Sequence, residues 1–471
     1  MRRIFPWVLV CLYPFAMHAQ IDTVTLTEDG HFYFENFLPY SAYSSLMNRN
    51  GEPYLYAACR ELGVVTFDIS DPDFPVPVDT IPTTALNNLI PNNISQTGDY
   101  LYVATGGFNL IPQKAGLAIM NLADAAHPVI TDKWDSVAYN QGAAIAISDG
   151  NYAYLGGMDD GLIILDVSNK SNITFKSSIL PDPNYPEVPD LFSVPNVRGL
   201  ALYGADTLMV AYDAGGLRML DVSNKSAPIE IGKYADPDIE NIAQSAYNNI
   251  AIKQHYAYIP VDMCGLLVVD IADSDMSTVA WFNPWDCDST NWNGRPGHTN
   301  EVRINEDEDL LFVSGGDSEL LIFDISNPAT PTLKATYGVP FDSIVAWSLD
   351  VFGNQISLAL VDNSFVGFPY YSDVGGIQLL QYEAIHTIDI QSLYKEFKVY
   401  PNPSTGVIVI DDIPSGSAMR IMNLQGVICE PEINGNVIDC SSLASGIYIL
   451  QLHDIQGRLI GSSKIVLTGV N

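Results

Sequence analysis

The sequence predicts an all-β chain, a seven-bladed β-propeller followed by a small β-sandwich. Three observations carry the prediction. A seven-residue hydrophobic motif recurs through the middle of the chain. Its copies start roughly 45 to 57 residues apart, the spacing of arrays in which each unit is one small sheet. After about Tyr394 the pattern changes to short alternating strands separated by Gly and Pro turns.

The motif is clearest at Gly265-Leu266-Leu267-Val268-Val269-Asp270-Ile271. Other copies start at Gly63, Gly116, Gly161, Gly216 and Glu319, and the most divergent at Gly376. A near-continuous apolar strand of this kind implies a sheet covered on both faces, as when blades stack on their neighbours. Around it, residues 248 to 282 read as four strands. Ile250–Ile252 and Tyr256–Ile259 precede the motif, and Val279–Phe282 follows it. Turn formers such as Asp71-Pro72, Asn224-Lys225-Ser226 and Ser326-Asn327-Pro328 separate third from fourth strands. Four strands in each of seven units make a seven-bladed propeller. The seventh copy lacks the Asp and its turn, which leaves the blade count open by one.

At 471 residues the chain is too long for one ordinary core, and 47% apolar residues with 29 Pro and 35 Gly suit a turn-rich β protein. The formal net charge of −34 repels phosphate backbones and anionic membranes, which argues against nucleic-acid binding. Met1-Arg2-Arg3, an apolar run to Ala16 and Met17-His18-Ala19 read as an export signal over residues 1–19. Cys11 follows a Val and sits within the apolar run, so a lipoprotein anchor is rejected. No later stretch has the roughly 20 apolar residues that span a bilayer, and no transmembrane segment is expected. Residues 20–42 read as strand-forming. In a closed ring such a strand commonly completes the last blade and removes an open edge.

The order of an aromatic strand, then Gly-Leu-x-Val-Val-Asp-Ile-Ser-Asn/Asp-Pro, then a further strand resembles the LVIVD-repeat proteins, extracellular propellers of bacteria. The resemblance covers about residues 43–385 and implies fold, not chemistry. In the tail, Val399-Tyr400-Pro401-Asn402-Pro403-Ser404-Thr405-Gly406, the turn Asn423-Leu424-Gln425-Gly426 and the strand Leu443-Ala444-Ser445-Gly446-Ile447-Tyr448 follow in order. Over residues 397–467 they resemble the type A C-terminal sorting domain of the type IX secretion system of Bacteroidota. Pro401, Asn402, Pro403, Gly406, Gly426, Gly446 and Tyr448 carry that match. It implies handling by the type IX machinery and its sortase, and a destination that is secreted or on the outer cell surface, reached through the periplasm. The domains expected are a signal peptide at 1–19, the propeller at 20–393 and the sorting domain at 394–471.

Loop lengths give a functional inference. Connections after first and third strands, such as Thr97-Gly98-Asp99 and Asp149-Gly150-Asn151, are short. Those after second and fourth strands are long, as at 106–115, 181–196, 235–247, 283–300 and 361–375. In a meander blade the two classes lie on opposite rims, so the irregular mass gathers on one face, where binding usually sits. That face would hold Cys264 and Cys287, which are expected to pair; the alternative is two free thiols. A bond closing their loop would contribute about 3 kcal/mol. Cys429 and Cys440 are a second expected pair, on strands that lie side by side. No Cys/His spacing suggests zinc.

Where long loops meet inner strands stand Asn92, Gln141, Arg198, Asn248, Asn300 and Trp347, candidates for a small-ligand site around a central channel. Their bland role is to hydrogen-bond loop backbone. Trp285, Trp292 and His298 join the candidates from the loop 283–298, since indole offers an apolar face for sugar rings or a protein partner. The alternative is that both Trp pack the loop against the ring. Asp286, Asp288 and Asn291 are weak calcium candidates whose spacing departs from the EF-hand pattern, and otherwise no cofactor is implied. Glu301, Asp307 and Asp309 read as an acidic run on an exposed turn. No linear catalytic set emerges. The expectation is an exported binding or interaction module for a glycan or protein ligand. The alternative is a hydrolase or lyase acting on a polysaccharide or lactone at the long-loop face, to be recognised by a buried, perturbed carboxylate or His at the channel mouth.

Overall fold

The computed structural model describes residues 20–34, 41–107, 113–186, 195–239, 246–285, 287, 298–315, 320–339, 344–362, 364, 372–387, 397–411, 413, 417–423, 427–429, 431–453 and 459–468. The export signal, Asp286, Asp288, Asn291, Trp292 and Gly426 lie outside them. The chain divides into two compact units, Ile21–Ile385 and a C-terminal unit from His386.

The first unit contains seven four-stranded antiparallel sheets. In six of them the strands follow chain order, as in Ala251–Lys253, Tyr256–Pro260, Leu266–Asp270 and Ser277–Phe282. The seventh takes Ala346–Phe352, Gln355–Leu360 and Gly376–Thr387 and borrows its outermost strand, Gln20–Tyr33, from the N-terminus. The ring is therefore closed by its two chain ends, and the sheet that would have had three strands has four.

The glycine that opens the motif follows from this geometry. Gly63, Gly161, Gly216, Gly265 and Gly376 have φ of 102°, 88°, 80°, 78° and 150°. A Cβ there would stand 2.0 to 2.5 Å from the carbonyl oxygen of Ile81, Ile179, Tyr234, Phe282 or Phe32, each on the fourth strand of the same sheet. Only glycine fits where the outer strand's end crosses so closely. Phe32 shows that the N-terminal strand occupies the same slot as the fourth strands of the other four blades.

The motif's Asp has a different task. Oδ1 of Asp68, Asp166, Asp221, Asp270 and Asp324 accepts the backbone N–H two residues on, at 2.8 to 3.1 Å. Asn121 does the same in the second blade at 2.7 Å. These are Asx turns that stop the third strand.

Between Asp and Gly the motif is core. Seven apolar clusters fill the seven joints between adjacent blades. Leu46, Tyr56 and Val64 of the first blade pack on Ile94, Leu101 and Met120 of the second, and Ala359, Ile377 and Leu379 of the last pack on Leu55, Ala57 and Phe67 of the first. The core of this unit thus lies between sheets around a ring, as the doubly buried third strands require.

Two polar devices interrupt the apolar scheme. Arg218, at an apolar position of the motif, is fully buried. It donates to Glu230 at 2.7 Å, Gly215 O at 3.0 Å, Asp182 O at 3.1 Å and Tyr185 O at 2.6 Å, between the rings of Tyr185 and Tyr212. It holds the 181–186 loop on the fourth blade. Asp350, also fully buried, accepts Met47 N at 2.8 Å and Arg49 at 2.5 Å, with Arg303 at 3.7 Å. Arg303 in turn pairs with Glu301, which accepts Asn249, while Arg49 N donates to Gln96 at 2.9 Å. This chain of partners links five consecutive blades, from the fifth through the seventh to the second, along their inner strands. Glu301 is thus a buried inner-strand residue, 4% exposed, and not part of the exposed acidic turn expected for it. Its carboxyl is pushed up by burial, with Arg303 pulling the other way.

The C-terminal unit is a sandwich of two four-stranded sheets around Phe397, Ile408, Ile421, Ile438, Leu450 and Ile465. Asn402 Oδ1 accepts Val466 N at 2.9 Å, and Tyr448 donates to Ala444 O at 2.8 Å, so the motif residues bind first strand to last and turn to strand. The expected Cys429–Cys440 bond is corrected here: both thiols are free. Cys429 ends Ile428–Cys429 in one sheet, whereas Cys440 follows Val437–Asp439 in the other. The two face a shared core from opposite layers and do not sit on neighbouring strands. Burial pushes the Cys440 thiol up to about 11, keeping it protonated at neutral pH.

Two predictions follow from these contacts. Arg218→Ala or Asp350→Ala leaves buried partners uncompensated and lowers unfolding free energy by about 3–5 kcal/mol each, measured by chemical denaturation. The Asx carboxylates of Asp68, Asp166 and Asp221 are held below their usual range by Ser hydrogen bonds. A depressed pKa stabilises the fold above the unfolded value near 3.9 and loses that contribution as pH falls through the folded value. Replacing the three by Asn, as the second blade already has, therefore lowers Tm slightly at neutral pH, where the carboxylates are charged, and flattens the fall in Tm on acidification below about pH 4.

Candidate functional site

The first four blades, other than the second, and the fifth share one turn between second and third strands. Cys59, Gly157, Tyr212 and Val261 each donate N–H to the motif Gly at 2.8 Å. The next residue, Arg60, Met158, Asp213 or Asp262, is held at φ 44°, 59°, 49° or 34°. Positive φ is uncommon for such residues. Backbone bridges from Met158 to Val197, Asp213 to Tyr247 and Asp262 to Thr299 tie this slot to the start of the next blade. One backbone slot, repeated in four blades, thus presents Arg, Met or Asp.

These side chains meet residues at the start of the inner strands. Arg60 donates to the Tyr43 hydroxyl through one short hydrogen bond, and its guanidinium lies over that ring, 4.7 Å from the centroid. Glu61 stands 3.5 Å from Arg60. Tyr43 contacts Trp347 with centroids 5.6 Å apart, and Trp347 stacks on His298 at 5.4 Å. His298 Nε2 lies 3.0 Å from Asp262 Oδ1, which also accepts Asn248 at 2.7 Å. Asp213 accepts Asn196 at 2.8 Å. Burial pushes the Asp213 carboxyl up; Arg198 pulls it down and Asp262 adds to the rise. Burial likewise raises the Tyr43 hydroxyl against Arg60, and the charge of Arg198, from the fourth blade, reaches it as well. Tyr43, Arg60, Arg198 and Trp347 are half-buried, while His298 and Asp262 are buried. The result is a mouth lined by an aromatic arc and by opposite charges set side by side.

The candidates from sequence divide accordingly. Arg198, His298 and Trp347 come together at this mouth. Asn92, Asn248 and Asn300 act as clamps between blades. Asn92 donates to Gly106 O and Ala143 O, both at 2.8 Å; Asn248 donates to Thr299 O at 2.8 Å; Asn300 donates to Trp347 O at 2.6 Å. Oδ1 of Asn92 and of Asn248 is buried and meets no donor among the described residues. Gln141 is half-buried, with its backbone N–H 3.4 Å from Asp160. Trp285 packs on the joint between fifth and sixth blades. Tyr43, Arg60, Asp213 and Asp262 were missed. The one usable signal was that each slot residue stands three positions before a motif Gly. Among the described residues, no group of three His, Cys, Asp or Glu side chains is placed to hold a metal ion.

Cys264, two residues after Asp262, is bonded to Cys287, with Cα atoms 5.0 Å apart. Both are buried, and Trp281 Nε1 donates to Cys264 O at 2.7 Å. The bond ties the 283–287 segment to the slot turn of the fifth blade.

Ring and mouth define the class: a seven-bladed propeller with polar and aromatic groups gathered where its inner strands begin, followed by a separate β-sandwich. The family comparisons agree with it. LVIVD repeats match residues 142–180, 196–236, 246–281 and 296–339, and a secretion system C-terminal sorting domain matches 398–468. The propeller thus carries LVIVD repeats, and the tail matches a secretion system sorting domain, which marks the chain for export to the cell surface or beyond. No helix among the described residues is long and apolar enough to cross a membrane. Among solved structures, the RRP9 WD40 repeats share the fold at TM-score 0.55 and 9% identity, covering 76% of this chain and 100% of theirs. PorZ, a surface component of the type-IX secretion system of Porphyromonas gingivalis, aligns at TM-score 0.41 and 13% identity over 89% of this chain and 65% of its own. The computationally designed Ika8 protein aligns at 0.43 and 8% over 73% and 97%. No curated protein sequence is significantly similar to the chain.

Cys264→Ser with Cys287→Ser frees the segment between them and costs about 3 kcal/mol by the chain-entropy model. Non-reducing peptide mapping of the native protein recovers the two as one linked pair, and the double variant shows the lower Tm.

Proposed function

We propose that the mature protein is a binding module displayed on or released from the cell surface, and that its ligand sits at the long-loop mouth of the ring. The observation that carries this is the convergence of Tyr43, Arg60, Arg198, His298 and Trp347 from the first, fourth, sixth and seventh blades at the starts of the inner strands, on the long-loop rim. Large half-buried aromatics beside charged groups are the usual anchors of recognition sites.

Delivery is read from the tail. After an export signal at residues 1–19 is removed, the type IX machinery would carry the chain outward and its sortase would act on the sorting domain. Deleting residues 394–471 is expected to strand the propeller in the periplasm, followed by cell fractionation; export of the truncated chain at the normal level refutes the assignment.

A second reading, hydrolysis or elimination on a polysaccharide or lactone, draws on the buried His298–Asp262 pair and on the raised Asp213 carboxyl. Binding is preferred because His298 Nε2 is turned to Asp262 and its ring lies against Trp347, which makes the imidazole a fixed part of the wall. Product release from a polysaccharide panel that is lost in His298→Gln with ligand binding retained would favour the enzyme.

A further inference from the structure

We propose that Asn402 and Ser404 clasp the last strand of the sorting domain along its outer edge, and that export requires this closed edge and not contact with the Asn402 side chain itself. The inference rests on the tail directing export and says what the first of its motifs contributes.

The strand Leu459–Leu467 is the outermost of its sheet, paired within that sheet on one side only, to Gly446–His453. An unpaired edge is a template for another chain. Residues 402–404 lie along it. Ser404 N donates to Val466 O at 2.9 Å and Thr468 N donates to Ser404 O at 2.8 Å, the pattern of a parallel pairing of Ser404 with Leu467. Two residues earlier the same pattern is made by a side chain. Asn402 Nδ2 donates to Lys464 O at 2.5 Å, and its Oδ1 accepts Val466 N at 2.9 Å. In a continuous parallel strand these two bonds would come from the backbone of residue 402. The carboxamide replaces that peptide group because it carries a donor and an acceptor together. Aspartate would keep the acceptor and lose the donor, and an alkyl side chain would lose both.

The rest of the motif holds the clasp in place. Pro401 and Pro403 flank Asn402 and have no N–H to leave unpaired at this outer position. Ser404 is 3% exposed; its Oγ accepts Gly406 N at 3.1 Å and donates to Val407 O at 2.8 Å. Gly406 O accepts Cys440 N at 2.8 Å, and a Cβ on Gly406 would stand 2.6 Å from Ser441 Oγ. One end of the segment is therefore tied beside Val437–Asp439 and the other to the last strand of the opposite sheet. Asn402 is exposed, but both polar atoms of its amide are engaged by that strand.

The test expresses the full chain, export signal included, in a bacterium with type IX machinery and follows it by cell fractionation. Amide hydrogen exchange is measured on the intact chain purified from cells lacking that machinery. Asn402→Ala speeds exchange at Val466 about tenfold, as the loss of a bond or two predicts. It lowers the exported fraction several-fold and leaves the propeller's Tm unchanged. Val466→Pro and Thr468→Pro each remove one backbone donor of the clasp with Asn402 intact. Proline is tolerated where an edge strand's N–H points outward, and Thr468 lies past the strand's end. Both lower the exported fraction as Asn402→Ala does. The double variant of Asn402→Ala with Val466→Pro loses no more than either alone, since both break one device. Thr405→Ala, exposed and outside the ladder, exports normally. Normal export of Asn402→Ala overturns the clasp. Normal export of both proline variants beside a loss in Asn402→Ala overturns it too, because the side chain is then read directly, and so do losses that add in the double variant. Normal export of a chain lacking residues 394–471 removes the underlying assignment instead, so the two failures are told apart.

Discussion

The structure depends on the burial of the third strand of every sheet on both faces. A sheet with a near-continuous apolar strand cannot face water, and a single four-stranded sheet has nothing to cover it. Each blade is therefore stable only between two others, and the requirement is met for all seven only if the ring closes. Closure by Gln20–Tyr33 places the two ends of the propeller in one sheet. The clusters at the seven joints are equivalent links, and the seventh joins last blade to first through Ala359, Ile377 and Leu379. Losing the N-terminal strand would open an edge and expose a joint at once.

Ring geometry also determines where side chains with no core function are gathered. Inner strands begin at the long-loop rim, and the turn between second and third strands returns to the same rim. Because that turn is pinned by the motif glycine, its preceding slot is held at positive φ whatever residue fills it. Arg60, Met158, Asp213 and Asp262 show how little the backbone cares about identity there. Identity is instead matched to the neighbour: Tyr43 beside Arg60, Asn196 beside Asp213, and Asn248 with His298 around Asp262. A nearly symmetrical scaffold so carries an asymmetrical set of groups. Symmetry suits stability, and its breaking is where specificity for a ligand would be written.

Most of the fold was readable because the repeat states its constraints in residue types. Gly marks the close crossing of the outer strand, the apolar run marks double burial, and Asp marks the Asx turn. Each is a local rule repeated often enough to outweigh exceptions such as Gly376 and its divergent neighbours. Loop lengths showed which rim holds irregular chain, and Arg198 and Trp347 were found from it. The rest of the mouth was hidden for a physical reason. Tyr43, Arg60, Asp213 and Asp262 sit in short turns and strand starts that look like punctuation, and only the closed ring brings residues 43, 198 and 347 to one place. Asn92, Asn248 and Asn300 misled in the opposite sense, since polar residues at a rim serve blade-to-blade hydrogen bonds as readily as ligands. Glu301 was misplaced because an acidic run in sequence, Glu301 to Asp309, is split in space between a buried strand and an exposed turn.

The positions where the repeat is broken carry the strongest local demands. Arg218 replaces an apolar motif residue and is tolerated only because a carboxylate, three carbonyls and two aromatic rings surround it. A buried ion pair is weak evidence for stability but strong evidence for geometry, since removing one partner leaves the other stranded. What Arg218 specifies is the path of the 181–186 loop on the same rim as the mouth. Cys264 and Cys287 act similarly one blade further on, binding the 283–287 segment to the turn that holds Asp262. Two long connections, after the fourth strands of blades three and five, are thus anchored by interactions that the repeat does not require. Anchoring irregular chain costs conformational entropy. A protein that needed only to close its ring would leave such connections short, as it does on the opposite rim. The cost falls on the face that holds Tyr43, Arg198 and Trp347, and it orders the chain on that rim.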